Sequence, residues 1–153
     1  MKIVDVLSPE DILPELAASS MEEVLREFAE YLKTREVIKD VDELVDVLQN
    51  REKLGSTGIG NGVAVPHGRL PDMDGIVVVF GRSTGGVDFN APDRELVHLF
   101  FLLVAPEDSA GDHLKTLARI SRIVKSPDCR RALMESMDNE SLYQVISEED
   151  KRH

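Results

Sequence analysis

Four histidines and one glycine-rich loop are the parts of this 153-residue chain with chemistry to offer. An imidazole has an unperturbed pKa of about 6.5, so at neutral pH most of it carries a free lone pair. His67 sits in Pro66-His67-Gly68, directly after the stretch GSTGIGNGVAV at 55–65. Proline fixes the backbone on one side, and glycine lets another molecule approach closely on the other. On that context alone His67 is either an ordinary turn histidine or a nucleophile. His113 opens a helical pattern, in Gly111-Asp112-His113-Leu114. There, free N–H donors and the positive end of the helix dipole welcome an anion; its plainer reading is a solvent-facing side chain. His98, in Val97-His98-Leu99-Phe100, reads as a hydrogen-bonded sheet histidine. His153 reads as part of a frayed polar tail over 148–153.

The loop from Gly55 to Gly62 could cradle an anion, because successive N–H groups in a glycine-rich turn form a concavity. Ser56, Thr57 and Asn61 add side-chain donors beside the Gly58 amide. It is not a nucleotide P-loop, since Asn61 stands where that motif needs lysine, and its glycine spacing does not fit the dinucleotide fingerprint. Arg51, just ahead of the loop, is either a cation satisfying a helix C-terminus or a charge facing a bound phosphate. No histidine, cysteine or carboxylate spacing matches a metal motif, and no G-x-S-x-G elbow is present, so the chemistry expected here needs no metal and no cofactor.

Composition narrows the partners. With 18 basic against 29 acidic side chains the net charge is −11, which repels phosphate backbones and anionic lipid, so neither nucleic acid nor direct membrane insertion is expected. The longest apolar run, Leu99 to Ala105, falls far short of the roughly 20 residues of a membrane helix. The single cysteine, Cys129, fits a reducing cytoplasm, and its place after Ser126-Pro127 reads as helix packing.

The elements that must position these residues follow from periodicity. Ser20 with Glu23, then Val24, Leu25, Phe28, Tyr31 and Leu32, predicts a capped helix. Asp40 with Glu43, then Leu44, Val45 and Leu48, predicts a second one that stops before Gly55. Val63–Val65 reads as a short strand stopped by Pro66; Ile76–Phe80 and Leu96–Val104 read as buried strands, with a turn at Gly85-Gly86. Ser109 or Asp112 caps a helix whose apolar face is Leu114, Leu117, Ala118 and Ile120 or Ser121, then Val124. Ser126-Pro127 and Asp138 or Asn139 open two more. The expected fold is a single α/β domain over 1–153: a mixed, mostly parallel sheet of about five strands with helices on both faces.

The run Arg51-Glu52-Lys53-Leu54-Gly55 continuing STGIGNGVAVPHGR closely resembles the type 2 IIA domain of the bacterial phosphotransferase system, the fructose/mannitol class with its nitrogen-regulatory branch. Phe101–Glu107 and the His113-Leu114-Lys115-Thr116-Leu117 stretch resemble it too. The resemblance implies that His67 is phosphorylated by a histidine phosphocarrier, HPr or its nitrogen-branch equivalent. It also implies that His113 lies beside it and that Arg51 belongs to the site. Transporting members pass the phosphoryl group to a IIB cysteine and on to sugar.

Phosphoryl transfer asks the protein mainly to position the group and to offer donors to its three equatorial oxygens. Ser56, Thr57, Gly58 and Asn61 are expected to line the phosphate, His113 to donate to it and Arg51 to neutralise it. A backbone carbonyl or carboxylate is expected to hold the other nitrogen of His67, and Ile59, Leu70 and Met73 to serve as an apolar docking rim or as core. Two roles stay open: a regulatory protein gated by its phosphorylation state, which the free-standing domain favours, or a sugar-transport IIA component.

Overall fold

The computed structural model describes residues 1–153. Two long strands form its spine. β5 (Val77–Val87) and β6 (Val97–Pro106) pair antiparallel from Val77↔Val104 to Arg82↔Leu99. β1 (Ile12–Leu13) adds parallel to the outer edge of β5. On the other side of β6 lie β3 (Val63–Ala64) and β4 (His67–Leu70), both parallel to it, and β2 (Gly58–Gly60) hairpins onto β3. The sheet is mixed, as expected, with six strands and three parallel pairings out of five, but its longest ladder is antiparallel.

Alternation along β6 explains the two layers. Phe100, Leu102 and Val104 face one side; Leu99, Phe101, Leu103 and Ala105 face the other. The first set packs under α1 (Met21–Thr34) and α2 (Val41–Lys53), with Phe100 edge-on to both Phe28 and Phe89. The second packs under α3 (Ala110–Val124), α4 (Pro127–Glu135) and α5 (Asn139–Lys151). The start signals are used as read: Ser20, Asp40, Ser126 and Asp138 each accept an N–H from the first helical turn.

Four expectations need correcting. The residues read as a tail are the end of α5, where Asp150 is fully buried against Arg119 at 2.7 Å and also takes the Val4 N–H. Arg119 reaches the carbonyls of Asp150 and His153 as well, so the polar C-terminus is stitched to α3 and to the N-terminus. Gly85-Gly86 lies inside β5 as a register irregularity, not at its end. Leu70 is core and Met73 packs against it, while exposed Ile59 lies at the far end of the β2–β3 hairpin, so these three form no rim around His67.

The fourth concerns α3. Its inward stripe is His113, Thr116, Arg119, Ile120, Ile123 and Val124, so Ile120 and Val124 face the core as expected while Leu114 is left 66% exposed. Hydrogen-bonded polar residues take the first turns of that stripe, so hydrophobic periodicity alone misplaces the N-terminal half of the helix.

Candidate functional site

Pro66 interrupts the edge beside β6, and the chain rejoins it at His67 opposite Leu103. Gly68 points toward α2, so close that a Cβ there would lie 2.5 Å from the Val47 side chain. That glycine therefore serves helix packing rather than the approach of another molecule. By alternation His67 and Arg69 project to the opposite face, where the first turn of α3 delivers His113. The two imidazoles meet edge to face with ring centres 5.2 Å apart. From the end of α2, Arg51 reaches the same spot: its Nε donates to His67 Nε2 at 3.3 Å and an Nη donates to the Gly55 carbonyl at 2.9 Å.

The hydrogen bonds dictate the protonation of both rings. His67 Nδ1 lies 2.8 Å from the Val65 carbonyl, which can only accept, so Nδ1 carries the proton. Arg51 can only donate, which independently requires a lone pair on Nε2. His113 Nδ1 accepts from Arg69 Nε at 3.3 Å, which leaves the His113 proton on Nε2. Burial, with Arg51 and Arg69 against it, pushes the His67 pKa below the ordinary value, only partly offset by the Val65 hydrogen bond and Glu52. Burial and the charges of His67 and Arg69 push His113 down to about 4. Both rings are neutral at pH 7, and His67 presents its lone pair from a half-buried, open position.

His67, His113 and Arg51 are thus brought together; the loop residues are not. Thr57 is buried, and its N–H and hydroxyl both go to Glu52, at 3.0 and 2.6 Å. Ser56 donates to the Phe89 carbonyl and accepts from the Gly58 N–H. Gly58 is needed because Ala91 presses on it: a Cβ there would sit 2.9 Å from the Ala91 methyl. Asn61, whose N–H goes to Asp93, is at the hairpin tip. The tip lies beside Leu99 while His67 pairs with Leu103, about 13 Å further along β6. The Thr57, Gly58 and Asn61 amides and the Ser56 and Thr57 hydroxyls expected to line an anion are thus engaged by the chain's own acceptors.

Arg69 is the site residue that sequence reasoning missed. The signal was there: two residues beyond His67 on a strand, it must share that side chain's face. Val65 was missed because a carbonyl's aim depends on the Pro66 turn. The remaining candidates fall elsewhere. His98 bonds the Ser83 carbonyl at 2.9 Å as a sheet histidine. Cys129 is buried in the helical layer, with burial raising its thiol pKa to about 11, far from a nucleophile. His153 pairs with Glu149. No helix is long and apolar enough to cross a membrane.

A pair of neutral imidazoles flanked by two guanidiniums offers one ring-nitrogen lone pair to an electrophile and several N–H donors to an anion. The chain belongs to the EIIA 2 family of the phosphoenolpyruvate-dependent sugar phosphotransferase system, whose family pattern matches residues 5–149. Its nearly full-length relatives include the nitrogen regulatory protein of Bradyrhizobium diazoefficiens, 42% identical over 148 residues, which are 96% of this chain and 95% of that one. The crystal structure of the nitrogen regulatory protein IIA-Ntr from Neisseria meningitidis shares the fold with a TM-score of 0.88 at 32% identity, covering 94% of this chain and 98% of that one. The fructose-specific EIIABC component of Bacillus subtilis is 30% identical over 151 residues, 99% of this chain but 24% of that longer protein.

Proposed function

We propose that this protein accepts a phosphoryl group on Nε2 of His67 from a phosphohistidine of an HPr-type donor, and that its phosphorylation state signals to a regulatory target. The observation that carries the reading is the doubly enforced tautomer: Val65 takes the Nδ1 proton and Arg51 points at the Nε2 lone pair.

The step balances without a proton donor. Nε2 attacks phosphorus, the donor's N–P bond breaks, and the donor ring leaves neutral because its other nitrogen already holds a proton; His67 keeps its Nδ1 proton on Val65. As the N–P bond forms, the Arg51 Nε–H moves from the ring nitrogen to a phosphoryl oxygen. At 3.3 Å its bond to the ring is long and cheaply exchanged. The His113 Nε2–H and Arg69 supply donors to the other oxygens, matching charge spread over three equatorial positions.

Exposed Leu54 and Leu114, each beside a site residue, offer the apolar rim for the docking donor. The regulatory role follows the nitrogen regulatory relatives. Phosphoryl transfer to a IIB cysteine is the transport alternative, favoured by likeness to the fructose-specific component.

Incubation with a phosphorylated HPr-type donor, followed by phosphorus NMR, tests the proposal. Label on Nε2 of His67 is the expected result; label elsewhere, or none, overturns it. Adding a phosphate-accepting IIB domain then separates the two roles: rapid loss of label to the IIB cysteine marks a transport component.

A further inference from the structure

Arg51 and Arg69 appear in none of the chain's ion pairs, although acidic side chains outnumber basic ones by 29 to 18. A carboxylate is at hand: Glu52 is the very next residue after Arg51. It is held elsewhere. One Glu52 oxygen takes the Thr57 N–H at 3.0 Å and the other takes the Thr57 hydroxyl at 2.6 Å, a two-point clamp that closes the turn between α2 and β2. The clamp is tied to the nucleophile by two further bonds. The Thr57 carbonyl accepts the Val65 N–H at 3.0 Å, and the Val65 carbonyl accepts the His67 Nδ1–H at 2.8 Å.

We propose that Glu52 and Thr57 are positioning residues of this site, in which Thr57 parks the Glu52 carboxylate so that it cannot pair with Arg51 or Arg69, leaving both guanidiniums open to an anion. The inference rests on the phosphoryl-acceptor reading and deepens it. A carboxylate released beside two arginines would compete with a phosphoryl group for the same donors. Glu52 and Thr57 touch neither ring, so their influence runs through Arg51 and through the Val65 peptide.

The groups that set the charge at His67 are Arg51 and Arg69, which oppose its protonation, Glu52, which favours it, and neutral His113. Thr57→Val keeps the side chain's size and removes the hydroxyl that holds one carboxylate oxygen. Two readouts follow. In phosphoryl acceptance from a phosphohistidine donor, Thr57→Val is expected to slow the rate roughly tenfold, as when one charge-assisted contact to the transferring group is lost. Thr57→Ser keeps the parent rate, and adding Glu52→Gln to Thr57→Val restores most of it, because the competitor is then uncharged. In an NMR titration of the His67 ring, which needs no donor, Thr57→Val is expected to raise the pKa, since a carboxylate paired with Arg51 cancels part of that arginine's opposition. The double variant brings it back toward the parent.

An unchanged titration in Thr57→Val, or a double variant as slow as the single one, overturns the clamp and leaves Thr57 a residue of local structure only. A parent protein that takes no phosphoryl group removes the acceptor reading instead, and the titration still decides the clamp.

Discussion

Two histidines in this molecule share a device and differ in what surrounds it. His67 and His98 each lie beside or on a strand flanking the same ladder, each partly exposed, and each gives its Nδ1 proton to a backbone carbonyl, Val65 or Ser83, at 2.8 and 2.9 Å. A carbonyl on Nδ1 alone is therefore not what distinguishes His67. The far nitrogen decides. At His67 it looks onto Arg51 with a second imidazole and Arg69 alongside. At His98 the ring is pressed by Gly86, where a Cβ would lie 2.8 Å from Cε1 and 3.1 Å from Nε2. The Gly86 backbone lies against this ring, and no cation is hydrogen-bonded to it as Arg51 is to the other ring.

The arginines repeat the lesson. Arg119 and Arg82 are buried and fully engaged, Arg119 with Asp150 and two carbonyls, Arg82 with carbonyls of Pro14, Leu133 and Ser136. Arg51 and Arg69 have only neutral nitrogen or carbonyl acceptors and can turn to an anion.

The sharpest way to break the contrast is to remove each ring. His67→Ala is expected to abolish acceptance of label from a phosphorylated donor, while His98→Gln keeps the rate within about twofold, since it removes no group that touches phosphorus. A His98 variant that folds and does not label would erase the distinction. Among the arginine contacts, Asp150→Ala leaves Arg119 as an uncompensated buried charge and is expected to cost about 3–5 kcal/mol in denaturant unfolding. The folded fraction should still label at the parent rate; a slowed rate would mean that this ion pair reaches the site.

His113→Ala comes next. It should still take the phosphoryl group, with the acceptance rate lowered by about tenfold for one lost donor, and with equal rates arguing against a transfer role. The smallest effect is in stability against pH. His113 has a folded pKa of about 4, below its unfolded value near 6.5, so the unfolded chain binds more protons across that window. Stability is therefore lost as pH falls from about 6.5 toward 4. Denaturant midpoints at pH 7 and pH 5 should converge in His113→Ala relative to the parent; an equal drop in both would assign the acid sensitivity to other groups.

Local signals were legible wherever one side chain answers to its own neighbours. The four working helix caps, the stop before Gly55 and the two strands around Val78 and Leu102 all follow from spacing. The readings that failed concern which way a polar group faces. The α3 stripe was misread in its first turns because His113 and Arg119 find partners on other elements and Thr116 bonds back to the Asp112 carbonyl. The tail at 148–153 was misread because Asp150 is held from α3 and from the N-terminus. Ser56, Thr57, Gly58 and Asn61 looked like free donors because nothing in the loop shows that Phe89, Ala91, Asp93 and Glu52 would fill it.

The sequence by itself determined the family and the meeting of His67, His113 and Arg51, since these lie in one ordered run and one helix start. Only the tertiary structure decided which nitrogen of His67 is offered, that Arg69 stands with Arg51, and that the glycine loop is closed. Those outcomes depend on the direction of carbonyls and guanidiniums brought from separate elements, and hydrogen-bond directions across space leave no trace in residue order.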